Sequence, residues 1–301
     1  MMSTNYDNYN GWRSEDEPQD FENFAQLCDS GMCCGKIREW DDVKFELLSH
    51  AITPVKTNVR EAVKVLHAAG KSNYTNYEFG AQETNDCCAW GTSNAIDMTM
   101  AAQALRGKET TIFRTHKAWV YGIGKYLVGQ RRDNGMSISL AMQHVTKYGV
   151  LPQDIDGLPK YSGELQKSLL RNGKAFFEKW KDQAVIFDIE VVRMPLDYHA
   201  WFIASAAGRN IVYGTTVKLA KNKTTGDWVV SGTTNHCRTA GYPVRADGGI
   251  TDTNSWNDGS GFMSKQTAEK VIAGSSNYGA YMIYSIARRN SKPDFSGLGR
   301  N

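Results

Sequence analysis

Residues 82–107 read QETNDCCAWGTSNAIDMTMAAQALRG, with two adjacent cysteines near the start. After the two adjacent cysteines, apolar residues recur at the spacing of one helix face, and Gly107 follows the last of them. This pattern predicts a buried helix with Cys87 and Cys88 at or near its N-terminus. Because the positive end of a helix dipole favours the thiolate, a cysteine in this position is a candidate nucleophile.

The period of the apolar residues changes along the chain, from helical spacing in the first half to strand-like runs in the second. Residues 59–70 and 115–149 carry apolar residues at helical spacing, interrupted by glycine-containing turns. From residue 184 onward, short runs rich in Val, Ile and Tyr alternate with Gly, Asn and Lys. The sequence therefore predicts an α+β fold, helical in its first half and strand-rich in its second, with a cleft between them.

Charge is distributed unevenly along the chain. The 301 residues have a formal net charge of +3, yet residues 1–50 hold eleven acidic and four basic residues. That segment therefore carries −7 and the remainder +10, which predicts an acidic N-terminal arm distinct from the body. An acidic, polar arm is rarely ordered unless it packs on its own basic body or on a partner protein, and both remain open.

Composition excludes several classes of protein. With 41% hydrophobic residues and no low-complexity tract, the chain is neither disordered nor collagenous. It has no run of about 18 apolar residues and no basic-then-apolar start typical of secretion, so we expect no membrane partner. Basic residues do not cluster, which argues against nucleic acid. The expected location is the cytoplasm or a virion.

Three separated segments carry residues suited to thiol chemistry, namely residues 82–88 (QETNDCC), 235–237 (NHC) and 254–256 (NSW). A thiol nucleophile needs a base, for which His236 is the candidate. The imidazole in turn needs an orienting acceptor, which the side-chain oxygen of Asn254 can supply. Gln82 and the backbone N–H of Cys88 are candidates for stabilising an oxyanion.

These segments resemble papain-like cysteine peptidases, and most closely the compact bacterial or bacteriophage type. Gln82 lies six residues before Cys88, as the family's glutamine precedes its nucleophile. Asn235-His236 followed by Gly241-Tyr242 is similar to the family's histidine motif, and Asn254-Ser255-Trp256 matches its asparagine motif. Asn134-Gly135 is similar to part of its Asn-Gly-Gly turn. The resemblance covers roughly residues 75–290.

The resemblance implies a papain-like fold with a helical subdomain (51–183), a β-rich, barrel-like subdomain (184–290) and a C-terminal tail (291–301). It implies a cysteine peptidase that cleaves peptide or amide bonds through a thioester, with peptides or proteins as substrates and no cofactor or metal. The implied catalytic residues are Cys88, His236, Asn254 and Gln82, and the implied binding residues are Trp256 and Asn235.

Departures from the family pattern leave alternatives open. The family has tryptophan directly after the nucleophile, whereas Ala89 stands there in this chain, so Cys87 is a second candidate nucleophile. The strands next to His236 and Asn254 are also unusually polar, which is a reason to expect a shifted register at His236. The alternative function is a structural component of a virion or other large assembly that keeps the fold with little activity, with a protein partner on residues 1–50. A third hypothesis is a cell-wall hydrolase that uses the same thiol.

The arm contains three further cysteines, Cys28, Cys33 and Cys34. They would bind a metal only if a fourth ligand came from elsewhere, and no metal-binding spacing accompanies them. We therefore expect free thiols or one local disulfide, and no metal site.

Overall fold

The computed structural model describes residues 11–29, 35–107, 112–184, 187–256 and 259–288. These residues form ten α-helices, one π-helical turn and a sheet of seven strands. The predicted α+β class is confirmed. No helix in the described ranges combines the length and apolar character needed to span a membrane.

Most of the helices precede the main body of the sheet. They are α1 (Glu17–Asp29), α2 (Trp40–Ala51), α3 (Val59–Ala68), α4 (Cys87–Leu105), a π-helical turn (Trp119–Ile123) continuing into α5 (Gly124–Leu127), α6 (Ile138–Tyr148), α7 (Gly163–Asn172) and α8 (Lys174–Ala184). The predicted helices after residues 59, 87 and 115 are confirmed. Helix α4 ends as expected, because Gly107 has a φ of 80° that other residues rarely adopt.

The strands are β1 (Gly35–Glu39), β2 (Phe187–Arg193), β3 (Asn210–Lys221), β4 (Trp228–Val244), β5 (Ile250–Thr253), β6 (Ser260–Met263) and β7 (Ala280–Arg288). They form one sheet in the order β1-β2-β7-β3-β4-β5-β6, and β6 also contacts the start of β4. Strand β1 pairs in parallel with β2 and comes from the acidic segment. That part of the segment therefore belongs to the sheet.

Two helices, α9 (Tyr198–Ala206) and α10 (Lys265–Ala273), interrupt the strand-rich half. The sequence interpretation did not anticipate them. Each begins at a capping side chain: Asp197 accepts from the amide of Ala200 at 2.8 Å, and Ser264 accepts from that of Thr267 at 3.2 Å. These short polar signals, and not a long apolar period, determine where the two helices begin.

Helix α4 is the centre of the core. Its residues from Cys87 to Ala104 are all buried, so the helix is enclosed by the helical half on one side and the sheet on the other. At Gly91 it approaches β4 closely: a Cβ there would lie 2.8 Å from Cys237 Sγ. The hydroxyl of Thr239 donates to the Gly91 carbonyl at 2.9 Å, which fixes this contact.

The acidic segment packs on its own body in the part that the structure describes. Trp12 and Phe24 are buried in the same core cluster as α4. The carboxylate of Glu17 is buried and accepts hydrogen bonds from the amides of Ile138 (2.6 Å) and Ser139 (2.9 Å) at the start of α6. An acid at a helix N-terminus satisfies amides that have no partner within the helix. Ser137 of the body caps the Leu140 amide at 3.0 Å, and Glu17 of the arm adds acceptors for the two amides before it.

Burial makes this cap sensitive to pH. Desolvation raises the pKa of Glu17 from 4.5 to about 7, against the opposing effect of its hydrogen bonds. A carboxyl group whose pKa is raised by folding contributes stability below its unfolded pKa and loses that contribution as pH rises through the folded value.

We therefore expect the free energy of unfolding of the wild type, relative to that of Glu17→Gln, to fall between about pH 4.5 and 7. The fall should be up to about 3 kcal/mol. Urea unfolding of both proteins at pH 5 and pH 8 measures it, with Glu22→Gln on the exposed face of α1 as the control. Parallel pH profiles for the wild type and Glu17→Gln would contradict the prediction.

Candidate active site

His236 and Asn254 are brought together at the junction of β4 and the end of β5. Nε2 of His236 lies 2.7 Å from Oδ1 of Asn254, and both side chains are buried. The amide of Ser255 also donates to Oδ1 at 2.8 Å, which identifies that atom as the oxygen. Since an oxygen can only accept here, Nε2 carries the proton. Nδ1 of His236 therefore presents its lone pair.

Trp256 covers this pair. Its ring stacks on that of His236, with centroids 4.1 Å apart and planes inclined by 28°. Nδ1 of His236 is buried and has no hydrogen-bond partner among the described residues. The arrangement is an oriented imidazole with one unused basic nitrogen, which is the geometry expected of a general base before its partner approaches.

Gln82 is tied to the same junction from the helical half. Its backbone N–H donates to the Ser255 carbonyl at 2.9 Å, and its Oε1 accepts from the Ser255 hydroxyl at 2.6 Å. Its Nε2 donates to the carbonyl of Thr84 at 3.0 Å. One of the two side-chain N–H groups is thus used locally, and the other is available to an oxyanion. The sequence interpretation missed the linking role of Ser255, although it lies inside the Asn-Ser-Trp motif.

The thiol of Cys88 lies at the start of α4, as predicted, but points toward the arm and the turn before α6. Its Sγ donates to the carbonyl of Met136 at 2.9 Å and lies 3.8 Å from that of Gly11. Within the described chain, neither Cys88 nor Cys87 is hydrogen-bonded to Nδ1 of His236. The structure therefore brings His236, Asn254 and Trp256 together, whereas the Cys88 thiol is hydrogen-bonded to the Met136 carbonyl.

Cys87 faces β4. Its Sγ accepts a hydrogen bond from the amide of Cys237 at 3.3 Å, one residue beyond His236. Both cysteines of the pair thus lie at the interface of the two halves, and geometry does not remove Cys87 as an alternative nucleophile.

Residues of the arm cross directly in front of these thiols. The amide of Met136 donates to the Gly11 carbonyl at 2.8 Å, and the amide of Arg13 donates to the Met136 carbonyl at 3.1 Å. Trp12 and Met136 thereby form a parallel β-bridge. A Cβ at Gly135 would lie 2.5 Å from the Gly11 oxygen, so this approach requires glycine.

Trp12 fills a slot in the sheet. A Cβ at Gly214 would lie 2.0 Å from the indole, and a Cβ at Gly279 would lie 3.0 Å from it, so the ring rests where two side chains are missing. Gly214 pairs with Cys237 in the β3–β4 register. The indole N–H donates to Glu17 at 2.9 Å. The sequence interpretation did not identify Trp12, although it is a large aromatic residue in an otherwise polar segment.

The turn that receives the arm is held by a buried lysine. Nζ of Lys125 donates to the carbonyls of Arg132 (2.7 Å) and Gly135 (2.5 Å) and to Oδ1 of Asn134 (2.8 Å). Burial lowers the pKa of Lys125 from 10.5 to about 8. Three acceptors on one ammonium fix the shape of the turn that presents Met136 to the arm.

The pKa shifts of His236, Cys87 and Cys88 favour the uncharged form of each side chain. Burial lowers the pKa of His236 from 6.5 to about 3, with a further contribution from nearby Arg238. Burial also raises the pKa of both thiols, Cys87 and Cys88, well above the usual value. Histidine and cysteine are therefore neutral in this closed arrangement, and no thiolate–imidazolium pair is present.

Asp86, the residue before the cysteine pair, is a buried acid that sequence reasoning did not single out. Its Oδ2 accepts from Tyr161 Oη and from Gln166 Nε2, both at 2.8 Å. Burial raises its pKa from 3.8 to about 7. This small network anchors the start of α4 to α7 and to the loop before it.

The remaining predicted residues have the following positions. Asn235 lies next to His236 with its Oδ1 buried and without a hydrogen-bond partner in the described ranges. Cys28 is partly buried and packs beside the core, whereas Cys33 and Cys34 lie outside the described residues. Among described residues, no group of three or more His, Cys, Asp or Glu could hold a metal ion.

Comparison with known proteins finds solved structures that are similar to this chain. Neither a scan of protein families nor a search of curated proteins finds a match. Among solved structures, xylellain, a cysteine protease from Xylella fastidiosa, is 15% identical with a TM-score of 0.47, over 69% of this chain and 82% of its own.

Two further similar structures are proforms. Digestive procathepsin L 3 of the Tenebrio molitor larval midgut is 14% identical with a TM-score of 0.45, over 89% and 88% of the two chains. The proform of the ragweed pollen allergen Amb a 11, a cysteine protease, is 15% identical with a TM-score of 0.40, over 93% and 90%. At these identities and TM-scores, the similarity carries no assignment of residue roles in this chain.

The proton positions in this site can be tested directly. We expect His236 to be the Nε2–H tautomer at neutral pH and to stay neutral down to about pH 4, because burial disfavours the imidazolium. Nitrogen-15 NMR of histidine-labelled protein reports both, with His236→Gln used to assign the signal. Protonation of His236 between pH 7 and 5 in the intact chain would contradict the interpretation.

Proposed function

We propose that the chain is a papain-like thiol hydrolase that cleaves peptide or amide bonds, in a form closed by its own arm. The observation that carries this proposal is the His236–Asn254 hydrogen bond beneath Trp256, which leaves Nδ1 unpartnered. An imidazole oriented by an amide oxygen and shielded from water is suited to deprotonating a thiol. The motif resemblance and the α+β architecture agree with it.

In the proposed reaction, Cys88 leaves the Met136 carbonyl and turns toward Nδ1 of His236, which accepts its proton. The sulfur attacks the substrate carbonyl, and the second N–H of Gln82 with the Cys88 amide stabilises the oxyanion. His236 then protonates the leaving amine, and a water molecule hydrolyses the thioester. Asn254 keeps the imidazole oriented through both steps.

The arm explains why the thiol is engaged elsewhere. Gly11 and Trp12 lie against the turn at Met136 in the space that an extended substrate would need to reach Cys88. We infer that residues 11–17 act in cis as a segment that blocks this site, so that catalysis requires their displacement.

A second candidate function is a catalytically silent domain that serves in an assembly. It is favoured by the depth at which the arm is integrated: Trp12 and Phe24 are core residues, and Glu17 caps α6. A segment that contributes this much to stability is costly to displace. In this case the neutral Cys88 and His236 are the permanent state, and residues 1–50 take part in contacts with a partner.

The nucleophile is tested by covalent labelling. We expect an epoxide thiol inactivator to modify Cys88 selectively, and His236→Ala to abolish that selectivity, because only Cys88 gains a thiolate from His236. Peptide mapping by mass spectrometry identifies the site. Cys87→Ser should leave labelling of Cys88 unchanged. Equal, slow modification of all thiols, or selective modification of Cys87, would refute the assignment to Cys88.

The arm is tested by weakening its anchor. Trp12→Leu keeps an apolar group but removes the bond to Glu17 and part of the buried area. We expect it to raise both the rate of Cys88 labelling and peptide hydrolysis by about tenfold, because local opening becomes easier by roughly 1–2 kcal/mol. Arg13→Ala is the matched control, since among the described residues its side chain forms ion pairs with Glu15 and Asp16 alone.

The labelling pattern distinguishes the two candidate functions. An increase confined to Cys88 and accompanied by hydrolysis supports the closed enzyme. If Cys87, Cys88 and Cys237 all become reactive together, in proportion to the loss of global stability in urea, the arm is a structural element and the silent-domain proposal is favoured.

A further inference from the structure

A cavity lies beside β5, lined in part by Thr251 and Thr253 of that strand. It has a volume of about 360 Å³ and opens between the start of α3 and strands β4–β6. In the described part of the chain, its lining includes none of Gln82, Cys88 and His236. The volume is that of a small-molecule site.

The floor of the cavity is aromatic. Phe79 and Tyr242 are buried there, and Phe262 forms a half-buried wall. The hydroxyl of Tyr242 donates to the Met98 carbonyl at 2.7 Å, so its polar atom is used and its ring contributes apolar surface. A planar apolar group suits three such rings.

The rim carries one positive charge that is held in place. Nε of Arg60 donates to the Tyr77 carbonyl at 3.3 Å, and its guanidinium lies 5.0 Å from the centroid of the Phe79 ring. Its terminal nitrogens make no hydrogen bond or ion pair with other described residues. Across the rim, Asp227 is neutralised by two 3.0 Å contacts with Arg245.

The start of α3 adds to the positive electrostatic potential at the rim of the cavity. Asn58 caps this ten-residue helix by accepting from the Glu61 amide at 3.0 Å, which leaves the first two amides of the helix without an intrahelical partner. Asn58, Val59 and Arg60 all line the cavity. Helix dipole and guanidinium together favour an anion.

Two threonines line the cavity from β5. Thr251 and Thr253 lie on the cavity side of the strand, whereas Asp252 between them faces inward to Arg238. The hydroxyl of Thr251 donates to the Pro243 carbonyl at 2.6 Å. That of Thr253 is buried, with the residue only 1% exposed, and it has no partner in the described ranges. A buried hydroxyl without a partner is unfavourable unless something else bonds it.

We propose that this cavity binds a small anionic ligand with a planar ring, either an aromatic carboxylate or an aryl phosphate. The anion contacts Arg60 and the start of α3, the ring packs on Phe79 and Tyr242, and a polar atom bonds Thr253. The proposal is independent of peptide hydrolysis. A ligand there would contact the strand that leads into Asn254, the orienting partner of His236.

Calorimetric titration of the full chain tests the proposal. The probes are indole-3-acetate and phenyl phosphate, with neutral indole-3-acetamide and inorganic phosphate as controls for the charge and the ring. We expect one of the two anionic aromatic probes to bind, and the control lacking its charge or its ring to bind about tenfold more weakly or not at all. The tighter of the two anionic probes identifies the carboxylate or the phosphate.

Two variants locate the site. Arg60→Gln should weaken binding about tenfold, whereas Arg171→Gln should not, although Arg171 is also an exposed helical arginine whose Nε donates to a carbonyl. Thr253→Val should weaken binding while leaving the urea midpoint unchanged, because the hydroxyl it removes has no partner. The proposal is overturned if neither anionic probe binds at millimolar concentration, if the probe that binds is no tighter than its own control, or if Arg60→Gln binds like the wild type.

Discussion

The close contact of α4 with β4 fixes how the helical and strand-rich halves of the structure lie against each other. Residue 91 has no side chain, so the helix lies against the strand with the Gly91 carbonyl within hydrogen-bond distance of Thr239. One turn earlier, Cys87 accepts the Cys237 amide. These bonds set the distance between the helical and strand-rich halves. They bring the helix N-terminus, with both thiols, beside the strand that carries His236.

The arm closes a site that the two halves leave open. With Trp12 in its slot and Gly11 beside Cys88, the thiols and His236 are excluded from water. Exclusion of water disfavours charge on every one of these groups, so the pKa of the histidine falls and that of the thiols rises. The same burial that stabilises the closed chain therefore opposes formation of the ion pair that a thiol hydrolase needs. The arm therefore stabilises the closed chain and at the same time disfavours the charged form of the site.

Sequence reasoning succeeded where the information was local and failed where it was not. Helix α4 and its glycine end could be predicted from period and composition, and the His236–Asn254 contact from two short motifs. The position of Trp12 could not, because its partners Met136 and Gly214 are distant in sequence and share no period with it. Likewise, the direction of the Cys88 side chain depends on the carbonyls of Gly11 and Met136, which belong to two other segments.

The role of the polar strands beside His236 and Asn254 could not be predicted from the sequence either. Polarity there suggested a disturbed register, yet the structure pairs Arg238 with Asp252 inside the sheet, and Tyr213 donates to the same aspartate at 2.6 Å. A buried ion pair is destabilising when either partner is misplaced, by roughly 3–5 kcal/mol. Any slip of β4 against β5 would separate the pair and turn buried charges to the wrong face. The polar residues therefore hold the register that brings His236 to Asn254, instead of disturbing it.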